Sequence, residues 1–368
     1  MSDKKDKFLK ILQRAIQKDA SDIHLKSGCP VYYRIDGVIE SQESMVLQTE
    51  DLESFVSILL VADQQKYFAK RGEIDLAFTE KGIGRFRLNV FRQRGSVSMV
   101  MRRIKTKILN IDQLQLPQAV HKMTDLVRGL AVVCGTTGSG KSTTLAAIID
   151  SINERRRCHV VTIEDPIEFV HQDKRAVVNQ REVTIDTMDF ASALKAAMRQ
   201  DPDVIMVGEM RDHETFQAAM SASETGHLVF STLHTTNVKQ TIDRIIDMFP
   251  TEQHEQILSQ LAHNLKAILC MRLLPRADGV GRVPACELML DSPAVRKLIR
   301  EGRQGQLETA IQQGRDLGMQ TFNDSIYTLV KSGLISMEEA LNISENPEEL
   351  NMMVQGIRLS SSGGGLLG

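Results

Sequence analysis

The chain has 368 residues, 42% of them hydrophobic and 25% charged, a globular mixture that excludes collagen, simple low complexity and disorder throughout. At roughly 100–200 residues per domain, this length predicts two or three domains. Lys plus Arg is 45 against 47 for Asp plus Glu, a net charge of −2; a chain that works by blanketing DNA or RNA is usually far more basic, so no nucleic-acid partner is expected.

The amino end is charged, and Phe8, Leu12, Ala15 and Ile16 then make one helical stripe. This pattern predicts an amphipathic helix rather than a signal peptide. No run approaches the ~18 apolar residues of a membrane span, so a soluble, cytosolic protein is expected. Strand-like runs at 21–25 and 31–35 follow, and Asp36-Gly37 signals a hairpin between the second run and Val38-Ile39. Residues 51–60 read as a helix; strand patterns return at 74–78, 85–91 and 97–104, with Gly82 and Gly84 at a turn. Residues 1–108 are therefore expected to form an α+β domain on an antiparallel sheet. A linker is expected at 109–118.

From Gly129 the character changes. Apolar runs at 130–134, 160–163, 204–207 and 228–233 alternate with helical segments, the pattern of a parallel sheet wound by helices. After about Pro275 the signal becomes mostly helical, with candidates at 294–300 and 337–341, and residues 360–368 read as a flexible Ser/Gly tail. The cysteines (Cys29, Cys134, Cys158, Cys270 and Cys286) are widely spaced with no Cys-x-x-Cys pair, which argues against a zinc ribbon or a disulfide framework.

The sharpest motif is Gly135, Thr136, Thr137, Gly138, Ser139, Gly140, Lys141, Ser142 and Thr143, a match to G-x-x-x-x-G-K-[ST]. A strand-like run precedes it, and Leu145, Ile148, Ile149 and Ile152 fall on one helical face behind it. Glycines let successive N–H groups turn inward around phosphate oxygens, and the helix N-terminus adds a favourable dipole. Lys141 would neutralise the β- and γ-phosphates of a nucleotide, and the Ser142 hydroxyl would bind Mg²⁺.

Two acidic sites complement the loop. Glu209 ends an apolar run at 204–207, and Glu164 follows another at 160–163. Carboxylates at the carboxyl ends of parallel strands face the ligand crevice, which frees Glu164 to orient or deprotonate a water while Glu209 reaches the metal shell. His227 and His234 bracket the last apolar run; His234 reads either as a satisfied core or edge residue or, next to a nucleotide site, as a residue that senses the γ-phosphate or hydrogen-bonds Glu209. Arg85, Arg87, Arg92, Arg94, Arg102 and Arg103 crowd the last strands of the first domain, with strand period within the 85/87 and 92/94 pairs. They read as a solvated face, a nucleic-acid patch with little aromatic support, or arginine fingers for a neighbouring subunit's triphosphate.

Several motifs together resemble the type IV pilus retraction ATPases of the PilT type. The phosphate loop is followed by Leu145-Ala-Ala-Ile-Ile-Asp150, Ile163-Glu-Asp-Pro-Ile-Glu-Phe-Val-His171, Val178-Asn-Gln-Arg-Glu182, Val207-Gly-Glu-Met-Arg-Asp212 and Glu224-Thr-Gly-His-Leu-Val-Phe230. Ala20-Ser-Asp-Ile-His-Leu25 extends the resemblance to nearly the whole chain. It implies a PAS-like α+β domain at 1–108, a RecA-like P-loop ATPase core at 119–275 and a helical C-terminal region at 276–359. It also implies a homo-hexamer that hydrolyses ATP with Mg²⁺ at subunit boundaries. That motor would act from the cytoplasmic side on an inner-membrane platform protein at the pilus base, in some systems beside a paralogous retraction ATPase.

In these terms Glu164 is the general base, Glu209 the Walker B acid, and His227 and His234 members of a His box. Arg85, Arg87 and Arg102 lie where the family's arginine fingers occur, and residues 294–301 match its retraction segment. Thr136 and Lys297 stand where the family commonly has Pro and Asn. Residues 82–86 and 101–104 lean towards the accessory PilU type, 207–212 and 294–301 towards the principal type. Assembly ATPases carry a tetracysteine insertion near 274–286, where this chain has only Cys286, so an assembly role is not expected.

Overall fold

The apolar stripe at the amino end forms helix α1 (Ser2–Gln17), which buries Phe8, Ile11, Leu12 and Ala15. The computed structural model describes residues 2–35, 37–104 and 107–356, so the 360–368 tail and Asp36 lie outside the described residues. Two compact units divide the chain, Met1–Lys107 with Glu168–Val170, and Ile108–Ile167 with His171–Gly368.

In the first unit, β1 (Asp22–Lys26), β2 (Cys29–Ile35), β3 (Val38–Leu47), β4 (Glu73–Glu80), β5 (Gly84–Gln93) and β6 (Ser96–Ile104) make one antiparallel sheet in the order β3-β2-β1-β6-β5-β4. The β2–β3 hairpin pairs Ile35 with Val38, and Gly37 takes the left-handed φ of +84° that such a turn requires. Helices α2 (Thr49–Leu59) and α3 (Ala62–Arg71) lie between β3 and β4. One face of the sheet buries Ile23, Leu88 and Met99 in a core shared with Phe8 of α1 and Phe55 of α2, whose rings stand 5.0 Å apart. Because side chains alternate across a strand, Arg85 and Arg87 of β5 and Arg102 of β6 occupy the opposite face, whereas Arg92 and Arg103 share the strand face of the core residues.

The second unit begins with a segment that was expected to be a linker. It lacks long regular structure, yet it is anchored, since Ile111 and Leu116 are buried in the unit's core. A short helix α4 (His121–Thr124) leads into β7 (Gly129–Cys134), α5 (Lys141–Arg155), β8 (His159–Glu164), β9 (Val177–Glu182), α6 (Phe190–Ala197), β10 (Val204–Val207), α7 (His213–Glu224) and β11 (Leu228–Leu233). Next come α8 (Val238–Ile246), α9 (His254–Asn264), β12 (Leu265–Pro275) and β13 (Arg282–Leu290). Helices α10 (Pro293–Arg300), α11 (Leu307–Gln313), α12 (Phe322–Lys331), α13 (Met337–Ile343) and α14 (Pro347–Val354) close the described chain.

The sheet order is β13-β12-β7-β11-β10-β8-β9. All neighbours are parallel except the β12–β13 hairpin. Every residue of β7, β10 and β11 is buried, as a central parallel strand requires. The region after Pro275 is not helical from its start, because β13 continues the sheet and pairs with β12 from Ala267 through Pro275.

Glu287 on β13 is a charged type in this core, only 7% exposed, with Oε2 accepting the Val238 N–H at 2.7 Å. Burial, helped by nearby Glu345 and Glu308, outweighs that hydrogen bond and Arg272 and pushes its pKa from 4.5 up to about 7. The folded state therefore keeps a proton that the unfolded chain releases across this window. Stability falls as pH rises from about 4.5 to about 7 and then levels off, a loss on the order of 3 kcal/mol. Glu287→Gln keeps the acceptor for Val238 and removes the titration. It should raise the melting temperature at pH 8 by several degrees and leave pH 5 nearly unchanged, as read by scanning calorimetry; equal shifts at both pH values would contradict this.

Candidate active site

The phosphate-binding loop connects β7 to α5, the strand-to-helix junction that its chemistry needs. Gly135, Gly138 and Gly140 take φ of +151°, +79° and +96°. At Gly135 a Cβ would come within 2.3 Å of Ser139 Oγ and 2.6 Å of the Met271 carbonyl oxygen, so only glycine fits against β12 there. Lys141 opens α5 and is 9% exposed; its Nζ donates to the carbonyls of Gly135 at 2.8 Å and Thr136 at 3.0 Å, spanning the mouth of the loop. Ser139 Oγ is buried with no hydrogen-bond partner. An unsatisfied buried hydroxyl and an ammonium in one loop, at the N-terminus of a helix, fit phosphate oxygens. Leu145, Ile148, Ile149 and Ile152, the expected inner face of α5, are all buried.

Register carries the rest of the site to the same sheet edge. Leu233 pairs with Cys134, Ser231 with Val132 and with Val207, and Val207 with Ile163. The carboxyl ends of β7, β11, β10 and β8 therefore lie side by side, where open parallel sheets hold ligands. From these ends emerge the loop, His234, Glu209 and Glu164.

Glu209 follows Gly208, whose N–H donates to the Ile163 carbonyl at 2.7 Å and whose carbonyl accepts from Thr232 Oγ1 at 2.7 Å. A side chain at position 208 would press on β8, since a Cβ there meets the Ile163 oxygen at 3.3 Å. The Glu209 carboxylate pairs with Arg211 Nε at 2.7 Å and with His234 Nε2 at 3.2 Å. Of the two readings of His234, its contact with Glu209 is present. His227 is at the opposite end of β11, with Nδ1 beside the Ala222 carbonyl at 3.0 Å and Thr225 Oγ1 at 3.1 Å. The structure does not bring it to the site.

Glu164, 8% exposed, ends β8. Its Oε1 accepts hydrogen bonds from Thr162 Oγ1 at 2.6 Å and Gln180 Nε2 at 2.9 Å. Gln180 and Thr162 were not among the sequence-predicted site residues. A polar side chain on an edge strand carries no periodicity signal, and only the β8–β9 pairing, which sets Thr162 opposite Gln180, reveals it.

The candidate arginines belong to the first unit. Register sets Arg87 opposite Arg102, Arg102 opposite Asp22, and Asp22 opposite Arg34, one row of three guanidiniums and a carboxylate across four strands. Arg102 Nε donates to Asp22 Oδ1 at 2.8 Å while its side chain stays 73% exposed. Burial opposes ionisation of Asp22, but Ser21, Arg102 and Arg34 outweigh it and hold its carboxyl below the usual range. Arg85 is on the same strand face as Arg87, two residues away and opposite Ile104.

Residues 4–342 match the family model "Type II/IV secretion system protein". The chain belongs to that family. It is similar to the type IV pilus retraction ATPase PilT of Pseudomonas aeruginosa, 44% identical over 338 residues that cover 92% of this chain and 98% of that one. It is also similar to the type IV pilus ATPase PilU of the same organism, 39% identical over 348 residues and covering 95% and 91%. The crystal structure of the pilus retraction motor PilT with bound ADP matches with a TM-score of 0.87 at 45% identity, covering 94% of this chain and 99% of that chain. Its mixed α/β fold is this chain's fold. Among the described residues no helix is long and apolar enough to cross a membrane.

Proposed function

We propose that this chain is an ATP-hydrolysing motor for type IV pilus retraction, with the phosphate loop of Gly135–Thr143 as its nucleotide site. The observation that carries the reading is the convergence, at one sheet edge, of that loop with Glu164, Glu209 and His234. Membership of the family and the likeness to a retraction motor support it. The higher identity to the PilT relative than to the PilU relative favours the principal over the accessory retraction role.

In this mechanism the inward N–H groups of the loop and Lys141 Nζ bind and neutralise the phosphates. Glu164 orients a water and accepts its proton as the water attacks the γ-phosphorus; the bond from that phosphorus to the bridging oxygen breaks, leaving ADP and phosphate. Ser142 and Glu209 would hold Mg²⁺, which supplies positive charge at the phosphate oxygens. Two protein ligands fit an ion that keeps several waters and takes the rest of its shell from phosphate. His234, in contact with Glu209, is suited to report the state of that shell to β11. The further reading is a PAS-like first unit, a RecA-like second unit and a homo-hexamer. That ring would act on an inner-membrane platform protein from the cytoplasmic side.

Glu164→Gln keeps the shape and removes the base. It should leave nucleotide affinity within a few-fold and lower kcat by about 10²–10⁴. Phosphate release and fluorescent-ADP titration measure the two, and normal turnover would end the base assignment. At the level of the cell, the chain should restore retraction to a strain lacking its principal retraction ATPase.

A further inference from the structure

We propose that Gln180 is a positioning residue for hydrolysis, holding the Glu164 carboxylate in its working rotamer from the neighbouring strand. This deepens the reading above and rests on Glu164 being the base.

The amide of Gln180 is held at both ends. Its Oε1 accepts the backbone N–H of His171 at 2.8 Å, and its Nε2 donates to Glu164 Oε1 at 2.9 Å. Because a backbone N–H can only donate, the oxygen end is assigned to His171 and the NH₂ end to Glu164. Thr162 Oγ1 donates to the same Glu164 oxygen at 2.6 Å. Parallel register places Thr162 beside Gln180, and Glu164 is two residues beyond Thr162 on the same strand face. Two donors from two adjacent strands thus converge on one carboxylate oxygen of a residue that is only 8% exposed.

A glutamate side chain at the end of a strand otherwise has several rotamers, and a general base must hold its oxygen within hydrogen-bond reach of the attacking water. The two hydrogen bonds remove that freedom. They also favour the anion, the form that accepts a proton. Residues 178–182, noted in the sequence only as part of a resemblance, acquire a mechanical role through this contact.

The test uses the full-length chain with ATP as substrate. Gln180→Leu keeps the bulk and removes the donor. It should lower kcat at least tenfold, a part of what a base supplies, while KM and fluorescent-ADP affinity stay within about twofold. Loss of a donor to the anion raises the base's pKa, so the acid limb of the kcat–pH profile should move up by about one pH unit. Gln180→Glu, of the same shape but ionised at pH 8, should be as impaired there as the leucine variant. Thr162→Val removes the second donor and should shift the limb in the same direction, and it carries the test if Gln180→Leu does not fold. A kcat loss with no movement of the acid limb, or unchanged kcat, overturns the proposal. Glu164→Gln separates this failure from that of the underlying reading. Were Glu164→Gln to hydrolyse normally, the base reading would fall and this proposal with it; were it dead beside an unaffected Gln180→Leu, only the positioning role would fall.

Discussion

Lys141→Ala lowers ATP turnover by at least about 10³-fold, read as phosphate release. The side chain is nearly buried at the start of α5, and its ammonium already bridges the Gly135 and Thr136 carbonyls across the loop. A cation fixed there needs no reorganisation when negative charge develops on the transferred phosphoryl group, and removing one preorganised donor of this kind alone costs about 10²–10³. The loss of a full charge in a site shielded from water adds to that. ADP affinity should fall as well, because the same ammonium binds ground-state phosphates. Burial of Leu145, Ile148, Ile149 and Ile152 is untouched, so the cooperative unfolding transition should persist. Turnover near that of the unsubstituted chain would mean that the loop does not bind the phosphates of the hydrolysed nucleotide.

Much of this site is legible in the sequence because its signals are local. The loop is a contiguous motif bounded by a buried strand and an amphipathic helix, and both follow directly from apolar spacing. Glu209 and Glu164 are found because each ends an apolar run, and parallel pairing then forces those ends to one edge. The signals fail where structure depends on pairing over distance. Strand β12 carries Lys266 and Arg272 among its apolar residues, and β13 has Pro284 and Glu287, so neither reads as a buried strand until the hairpin register is known. Helix α3 is mostly polar and buries only Phe68, too little for a periodicity to show. His227 and His234 look like a pair in the sequence, but a strand rises about 3.3 Å per residue. That rise alone separates the two ends of β11, and only His234 meets a carboxylate of the site.

Arginine substitution in the first unit should abolish hydrolysis in a way that only a neighbouring subunit can repair. The row Arg87, Arg102, Asp22 and Arg34 carries three positive charges against one negative, and Arg102 is largely solvent-exposed despite its bond to Asp22. Buried Asp22 needs a cationic partner, but one carboxylate cannot balance three guanidiniums, so stability gives reason for one arginine of the row and not for all three. Like charges opposite one another on a sheet face repel, which makes an anionic visitor such as a triphosphate favourable there. The phosphate loop is in the other unit, so in a ring the arginines of one subunit would serve the nucleotide of the next. An arginine finger is worth about 10³–10⁵ in rate, and Arg102→Ala should lose on that order while the nucleotide still binds. Subunits carrying Lys141→Ala and subunits carrying Arg102→Ala, each inactive alone, should then regain measurable ATPase activity when mixed, because some boundaries in a mixed ring pair an intact Lys141 with an intact Arg102. The same mixing with Arg85→Ala and Arg87→Ala identifies which guanidinium acts. If verified mixed hexamers stay inactive for all three arginines, catalysis in trans is wrong and the basic row is a structural or docking face of the first unit.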